Sequence, residues 1–326
     1  MAAARRAAQL VNDAMTTIEL VPTVARLTRI NQQKVWSHMA RHAGLTPKSI
    51  STYMISVRAA LNYCALPQII MVDDEETEVR LLDESVPVFC DEAEIANYLG
   101  LNINGPREYL PTFQELGKWI DRIEEDDDFR YVIIALNTAA RNEAIFDLRV
   151  SEQVDYEFGL IDLNPKGRRQ TKKRRPVLRL TTQLAAWLEH WKDDRPIAGY
   201  QDVVEKRINK IGRRDQRVSD SGEIIYPGWM PEMTCYILRH FIASYMRRTK
   251  VAVSREQRSL WLGHRVRSGS STTDWYEKFD PDYLDAPARA TEEIILKLQK
   301  YTRRSLLAPT MHSQGKVRII DGGKNE

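Results

Sequence analysis

With 326 residues, 43% of them hydrophobic and 29% charged, the chain is long enough for two domains with real cores and reads as globular. No stretch reaches the ~18 consecutive apolar residues of a membrane helix, and Met1–Arg6 precedes no apolar signal core; the expected location is the cytoplasm. A formal net charge of +3 is too small to identify a nucleic-acid partner, and three widely spaced cysteines (Cys64, Cys90, Cys235) argue against a disulfide framework or a Cys-based zinc site.

In chain order, Asn31 is a candidate cap for a helix that runs to Ala43 and stops at Gly44. Thr46-Pro47 opens a second helix, with Thr46 as N-cap and Pro47 in the first turn. Ile50, Tyr53, Met54, Val57, Leu61 and Cys64 share its predicted buried face, while Lys48, Thr52 and Arg58 point elsewhere. Residues 1–68 are therefore expected to form a helical domain. Residues 69–108, with prolines, acidic residues and weak periodicity, are expected to form an irregular connection or a small appended element.

A fresh start comes at Thr112-Phe-Gln-Glu115, a capping-box pattern that predicts a helix to about Ile123. Asp127 or Asp128 can cap the next, strongly apolar helix through Leu136, and a helical run follows Arg141 to Leu148. Residues 159–163 and 177–180 read as two short strands around a long basic turn. Beyond them the chain reads as helical, with a second capping box at Ser254-x-x-Gln257 and an apolar face of Ala288, Ile294, Ile295 and Leu298 in a final helix. The fold class expected is mainly α with a small β-hairpin or sheet, the second domain covering 109–326.

The charge is unevenly distributed. Acidic residues collect at 73–78 and 124–128, basic ones at 166–175 and 206–217. The segment 164–180 holds eight positive side chains and no acidic one. Such a run repels itself unless solvent or an anion screens it. Phosphate-cradling glycine loops, His-Glu-x-x-His and Gly-x-Ser-x-Gly are absent, which removes the common nucleotidase, zinc-protease and serine-hydrolase readings.

Five spaced elements remain: Thr138-Ala-Ala-Arg141-Asn-Glu, the basic turn with Lys172-Lys173, Tyr236-Ile-Leu-Arg239, Leu262-Gly263-His264, and Thr272-Thr-Asp-Trp-Tyr276. In this order and spacing the chain resembles the tyrosine recombinase family, which includes phage integrases and Xer-type recombinases. The likeness covers roughly 109–300 and extends more weakly to the N-terminal helices, which look like such a protein's core-binding domain. It implies a helical core-binding domain plus a catalytic domain. It also implies that Arg141 and Arg239 are the two catalytic arginines, that His264 is the histidine of the LGH motif, and that Tyr276 is the nucleophile. The hairpin lysine would be Lys172, with Lys173 next to it. Tyr236 stands where the HxxR motif has its histidine. Ala144 holds a place that is usually acidic, with Glu143 one position early, and the segment between His264 and Tyr276 carries extra residues. Tyr283 is a rival nucleophile.

The resemblance further implies double-stranded DNA as partner, a homotetramer on two DNA sites, room for accessory DNA-bending proteins, integration or excision of a mobile element, and no metal or other cofactor. Expected DNA contacts are Lys48, Thr52 and Arg58 on the N-terminal helix, and Lys166, Arg168, Arg169, Lys173, Arg174 and Arg175 on the basic turn, with 206–217 adding phosphate contacts. A non-catalytic DNA-binding protein and a type IB topoisomerase-like enzyme are the alternatives on the same residues.

Overall fold

The computed structural model describes residues 2–72, 75–82, 85–103, 108–171, 173–222, 224–264 and 282–309. The chain divides into two compact units, Met1–Glu108 and Tyr109–Glu326. Helix dominates both, with small antiparallel sheets between helices.

The first unit is built on three helices. Helix α1 (Ala2–Thr17) buries Ala7, Val11, Ala14 and Met15, spaced to share one helical face. Helix α2 (Arg29–Ala43) is capped by Thr28, whose side chain accepts from the Asn31 N–H at 3.4 Å. Asn31, the expected cap, instead donates its amide to the Arg26 carbonyl at 2.8 Å. Gly44 ends the helix at φ +61°, a conformation that costs glycine no Cβ clash. Helix α3 (Pro47–Ala65) starts as the sequence predicts, with Thr46 accepting from Ser49 N–H at 3.3 Å, and it buries Ile50, Met54 and Val57.

Of the two expectations for residues 69–108, the described residues form a small appended element and not an irregular connection. Strands β1 (Gln68–Val72) and β2 (Glu75–Val79) pair antiparallel, with Ile69 opposite Glu78 and Met71 opposite Glu76. Helix α4 (Glu92–Leu99) opens with a capping box between Asp91 and Glu94 and places Ile95 in the core with Trp36 and Ile50. The hairpin leaves Ile69, Ile70 and Met71 exposed, so it lacks the in–out alternation by which a half-buried strand is recognised in sequence.

The second unit is organised around helix α6 (Asp126–Thr138), buried from Tyr131 to Thr138. Around it lie α5 (Phe113–Ile120), α7 (Asn142–Phe146), α8 (Val150–Gln153), α9 (Thr182–Trp191), α10 (Gln201–Ile211), α11 (Cys235–Tyr245), α12 (Arg255–Trp261) and α13 (Asp285–Gln299). The capping boxes at Thr112/Glu115 and Ser254/Gln257 form as read. The cap of α6 does not: Glu125 takes that place, Asp127 accepts the N–H groups of Ala198 and Gly199 at 3.1 and 2.8 Å, and Asp128 is buried against Arg207.

Strands β3 (Val154–Asp155), β4 (Leu160–Asp162) and β5 (Val177–Arg179) form one sheet in that order, with Ile161 opposite Leu178. The long basic turn joins β4 to β5. A further hairpin of β6 (Arg217–Val218) and β7 (Ile224–Tyr226) interrupts the stretch read as helical; it too is exposed on both faces. Helix α13 buries Ala288, Ala290, Ile294, Ile295 and Leu298 in the core of its own unit. Among the described residues no helix is long and apolar enough to cross a membrane.

Candidate active site

The site grows from the C-terminal end of α6. Ala139 closes that helix in the left-handed conformation, φ +49°, which an alanine adopts at a cost of roughly 1–2 kcal/mol. The turn is held by neighbours. The Thr138 hydroxyl donates to the Ile134 carbonyl at 2.7 Å and accepts from the Ala140 N–H at 3.2 Å. Asn137 is tied to Thr181 at 2.6 Å. The reversal brings Arg141 to the N-cap of α7, half-buried, where its Nη1 donates to the Arg174 carbonyl at 2.9 Å.

Arg239 comes from α11, whose Ile237, Leu238, Phe241 and Ile242 anchor that helix in the core. Its guanidinium, 8% exposed, donates Nη1 to the Ala139 carbonyl at 2.6 Å and Nη2 to the Leu262 carbonyl at 2.5 Å. The two carbonyls fix its direction and take two of the five N–H groups of the fork. Burial, and after it the charge of Arg141, pushes its pKa down to about 10, so it stays charged at neutral pH. Among the described residues no carboxylate acts on it.

His264 follows α12, which is fixed by the buried Trp261. Gly263 turns the chain at φ +64°, and a Cβ there would lie 2.5 Å from the Arg174 carbonyl and 2.9 Å from Pro176 Cδ. The chain therefore needs glycine here on two counts. The His264 side chain is exposed, and partial burial, then Arg239, then Arg141, lowers its pKa below the ordinary histidine value. Arg141, Arg239 and His264 thus form one cluster, assembled from three separate parts of the chain. The Arg174 carbonyl lies at its edge, bonded to Arg141 and close against Gly263.

Tyr236 sits on α11, 47% exposed, with its ring edge-on to His240 at 4.7 Å and its hydroxyl hydrogen-bonded to Arg239. Tyr283, the rival nucleophile, donates its hydroxyl to the Val177 carbonyl at 3.2 Å, and its own carbonyl accepts from Arg179 at 3.3 Å, so it is built into the edge of β5. Tyr276 and Lys172 lie outside the described residues.

The described residues of the basic turn are held by two side-chain clamps. Asn164 donates to the Arg168 carbonyl at 2.9 Å and accepts from Arg168 Nη1 at 2.8 Å. Gln170 donates to the Arg175 carbonyl at 2.7 Å and accepts from the Arg175 N–H at 3.1 Å. Lys166, Arg169 and Lys173 are exposed, and Arg174 is half-buried. Arg175 departs from the expected phosphate contact. It is 6% exposed, and its guanidinium lies 2.7 Å from Asp147 and 3.9 Å from Glu143. A buried, paired guanidinium cannot meet a phosphate.

The second basic run also departs from expectation. Arg207 binds Asp128 at 2.6 Å and Arg214 binds Glu124 at 2.5 Å, while Lys206 pairs with Asp202 at 3.4 Å. Two ion pairs, Arg207–Asp128 and Arg214–Glu124, thus join the acidic run 124–128 to the basic run 206–217. In the first unit Lys48, Thr52 and Arg58 are all exposed on α3. Lys48 reaches Glu92 at 3.3 Å and the Thr52 hydroxyl bonds the Lys48 carbonyl.

Sequence reasoning missed the roles of Asp147, Gln170 and Ala139. Asp147 had one visible signal, a charge inside the apolar run Ala144-Ile-Phe-Asp-Leu148. Among the described residues no group of three or more His, Cys, Asp or Glu side chains could hold a metal ion.

No protein-family model and no curated protein matches the chain. Among solved structures it is similar to XerA recombinase, at 12% identity over 90% of this chain and 90% of that one with a TM-score of 0.34. It is similar to the integrase from mycobacterium phage Brujita, at 10% identity over 89% of each chain with a TM-score of 0.37. It is also similar to XerH site-specific recombinase bound to difH substrate in a pre-cleavage complex, at 15% identity over 89% of this chain and 74% of that one with a TM-score of 0.43.

Proposed function

We propose that this protein cuts and rejoins double-stranded DNA at specific sites through a covalent bond to Tyr276, as a site-specific recombinase of the tyrosine type. The supporting observation is the convergence of Arg141, Arg239 and His264, with no carboxylate among the described residues contributing to the field at Arg239 or His264. Partly desolvated positive charge without a counter-charge is a site for an anion. Planar guanidinium forks match the non-bridging oxygens of a phosphodiester.

In the reaction the Tyr276 oxygen bonds to phosphorus and the bond from phosphorus to the 5′ oxygen breaks. Arg141 and Arg239 hold the charge that builds on the non-bridging oxygens; losing one such donor typically costs ~10²–10³ in rate. The tyrosine proton needs an acceptor, and the depressed pKa of His264 keeps its imidazole neutral and able to take it. The leaving 5′ oxygen takes a proton from Lys172 or Lys173 on the basic loop. The products are a 3′-phosphotyrosine and a free 5′ hydroxyl. The phosphodiester energy is kept in the linkage, and attack by a second 5′ hydroxyl reseals the strand. Exchange between two duplexes takes four cleavages, hence four subunits on two sites, and integration or excision of a mobile element is the use this serves.

The test is covalent trapping in cells holding the native DNA. Protein-linked DNA is isolated after denaturation and the attached ends are sequenced. The expected result is adducts at defined ends with the wild-type protein and none with Tyr276→Phe. Adducts that persist in Tyr276→Phe would move the nucleophile elsewhere. Adducts at scattered ends would favour a relaxing enzyme without a defined site, and an absence of adducts would favour a binding protein.

A further inference from the structure

We infer that Asp147 and Arg175 are a positioning pair that holds the lysine-bearing loop against Arg141, so that proton delivery to the leaving oxygen depends on the Asp147 carboxylate. This rests on the strand-cleavage reading above and adds to it a residue and a task.

Four observations converge on the loop base. Arg175 Nη1 meets Asp147 Oδ2 at 2.7 Å, and Glu143 lies 3.9 Å away on the same helical segment. The Arg175 backbone is clamped on both sides by the Gln170 amide, at 2.7 and 3.1 Å. The next carbonyl, that of Arg174, accepts from Arg141 Nη1 at 2.9 Å. The same carbonyl abuts Gly263, where a Cβ would approach it to 2.5 Å.

The chain from Arg174 back to Lys172 is two residues, a span of at most about 7 Å. Whatever fixes Arg174 therefore limits where both candidate lysines can go relative to the Arg141 guanidinium. Two forces oppose that fixation. Lys166, Arg169 and Lys173 are exposed cations on one loop, with no ion pair among the described residues, and they repel one another. Arg175 itself is nearly buried, which is unfavourable for a charge without its carboxylate. Asp147 supplies that carboxylate from the end of α7, the helix that Arg141 opens. The arginine that grips the phosphate and the loop that carries the lysines are thereby set by one short helix. Ala144, which holds the place where an acidic residue is expected, is buried at 1% exposure, and Asp147 offers the loop its charge one turn later.

The experiment compares two duplexes carrying the site recovered by adduct sequencing. One has the ordinary 5′ bridging oxygen at the scissile phosphate and the other has sulfur there. A thiolate leaves without a proton at neutral pH, so only the oxygen duplex needs the lysine. Asp147→Ala and Arg175→Lys are expected to slow adduct formation on the oxygen duplex by about 10²-fold, the scale of a small misplacement of a reacting group. They should cleave the sulfur duplex within a few-fold of wild type, since that leaving group needs no proton. Asp147→Glu is expected to recover part of the rate on oxygen.

Equal losses on both duplexes would overturn the inference, since the pair would then serve the arginines or the fold. So would full activity of both variants on oxygen. A wild-type protein that forms no Tyr276 adduct on either duplex would instead overturn the cleavage reading, and this inference with it.

Discussion

At the scale of single residues, the proposed reading is first of all that of an anion site. Arg239 carries its charge at 8% exposure beside Arg141, held by the Ala139 and Leu262 carbonyls. An anion that enters relieves the repulsion between the two. Inorganic sulfate at 100 times its dissociation constant is therefore expected to stabilise the folded protein by about 2.7 kcal/mol. Thermal denaturation should show that gain in wild type and not in the double variant Arg141→Ala/Arg239→Ala; an equal gain in both would place the bound anion elsewhere. His264 gives a second expectation. Its pKa in the free protein is lowered, so the imidazole stays a proton acceptor until the pH falls below a value lying under 6.5. The acid limb of kcat/KM for strand cleavage, which reports the free enzyme, should lie below pH 6.5 and be absent in His264→Gln. A limb at or above 6.5 in wild type would assign the acceptor to another group.

At the scale of elements, the two charge runs have to be separated from the site. Asp128, 3% exposed on α6, is held by a bidentate Arg207 from α10. Arg207→Ala strands that carboxylate, with an expected loss of roughly 2 kcal/mol or more, somewhat below a fully buried pair because Arg207 is itself partly in water. Arg214 and Glu124 make an equally short contact, but both lie at the surface. Arg214→Ala is expected to cost at most about 1 kcal/mol. Urea denaturation of the two variants measures the difference, and equal losses would contradict the burial argument. The helix starts were legible at this scale wherever a cap is local: Thr46, Thr112 and Ser254 each bond an N–H three residues ahead. Asp127 and Asp128 looked like caps by the same rule, yet they serve residues 71 and 79 positions away.

At the scale of the whole molecule, the cations divide into those already neutralised and those still available. Lys166, Arg169 and Lys173 are available on the loop between β4 and β5, whereas Arg175, Arg207 and Arg214 are paired. Each loop cation that meets a phosphate contributes about one unit to the slope of log affinity against log salt. Lys166→Gln, Arg169→Gln and Lys173→Gln should each reduce that slope by about one, measured by fluorescence anisotropy on a labelled duplex across a salt series. Arg207→Gln and Arg214→Gln should leave it unchanged. A slope that falls with Arg207→Gln and not with the loop variants would reverse the assignment.

By itself the sequence determined the helical character of both halves, the caps at Thr46, Thr112 and Ser254, the strands that flank the basic turn, and the order of Arg141, Arg239 and His264 along the chain. These are local or nearly local properties: a cap bonds three residues ahead, and a buried helix face repeats every three or four. Only the tertiary structure decided which charges are free. Whether Arg175 faces a phosphate or Asp147, and whether Arg207 faces DNA or Asp128, depends on contacts between residues far apart in the chain. Composition assigns those four side chains no partners; packing does. The hairpins at 68–79 and 217–226 stayed hidden for a related reason, because strands exposed on both faces leave no hydrophobic alternation to read.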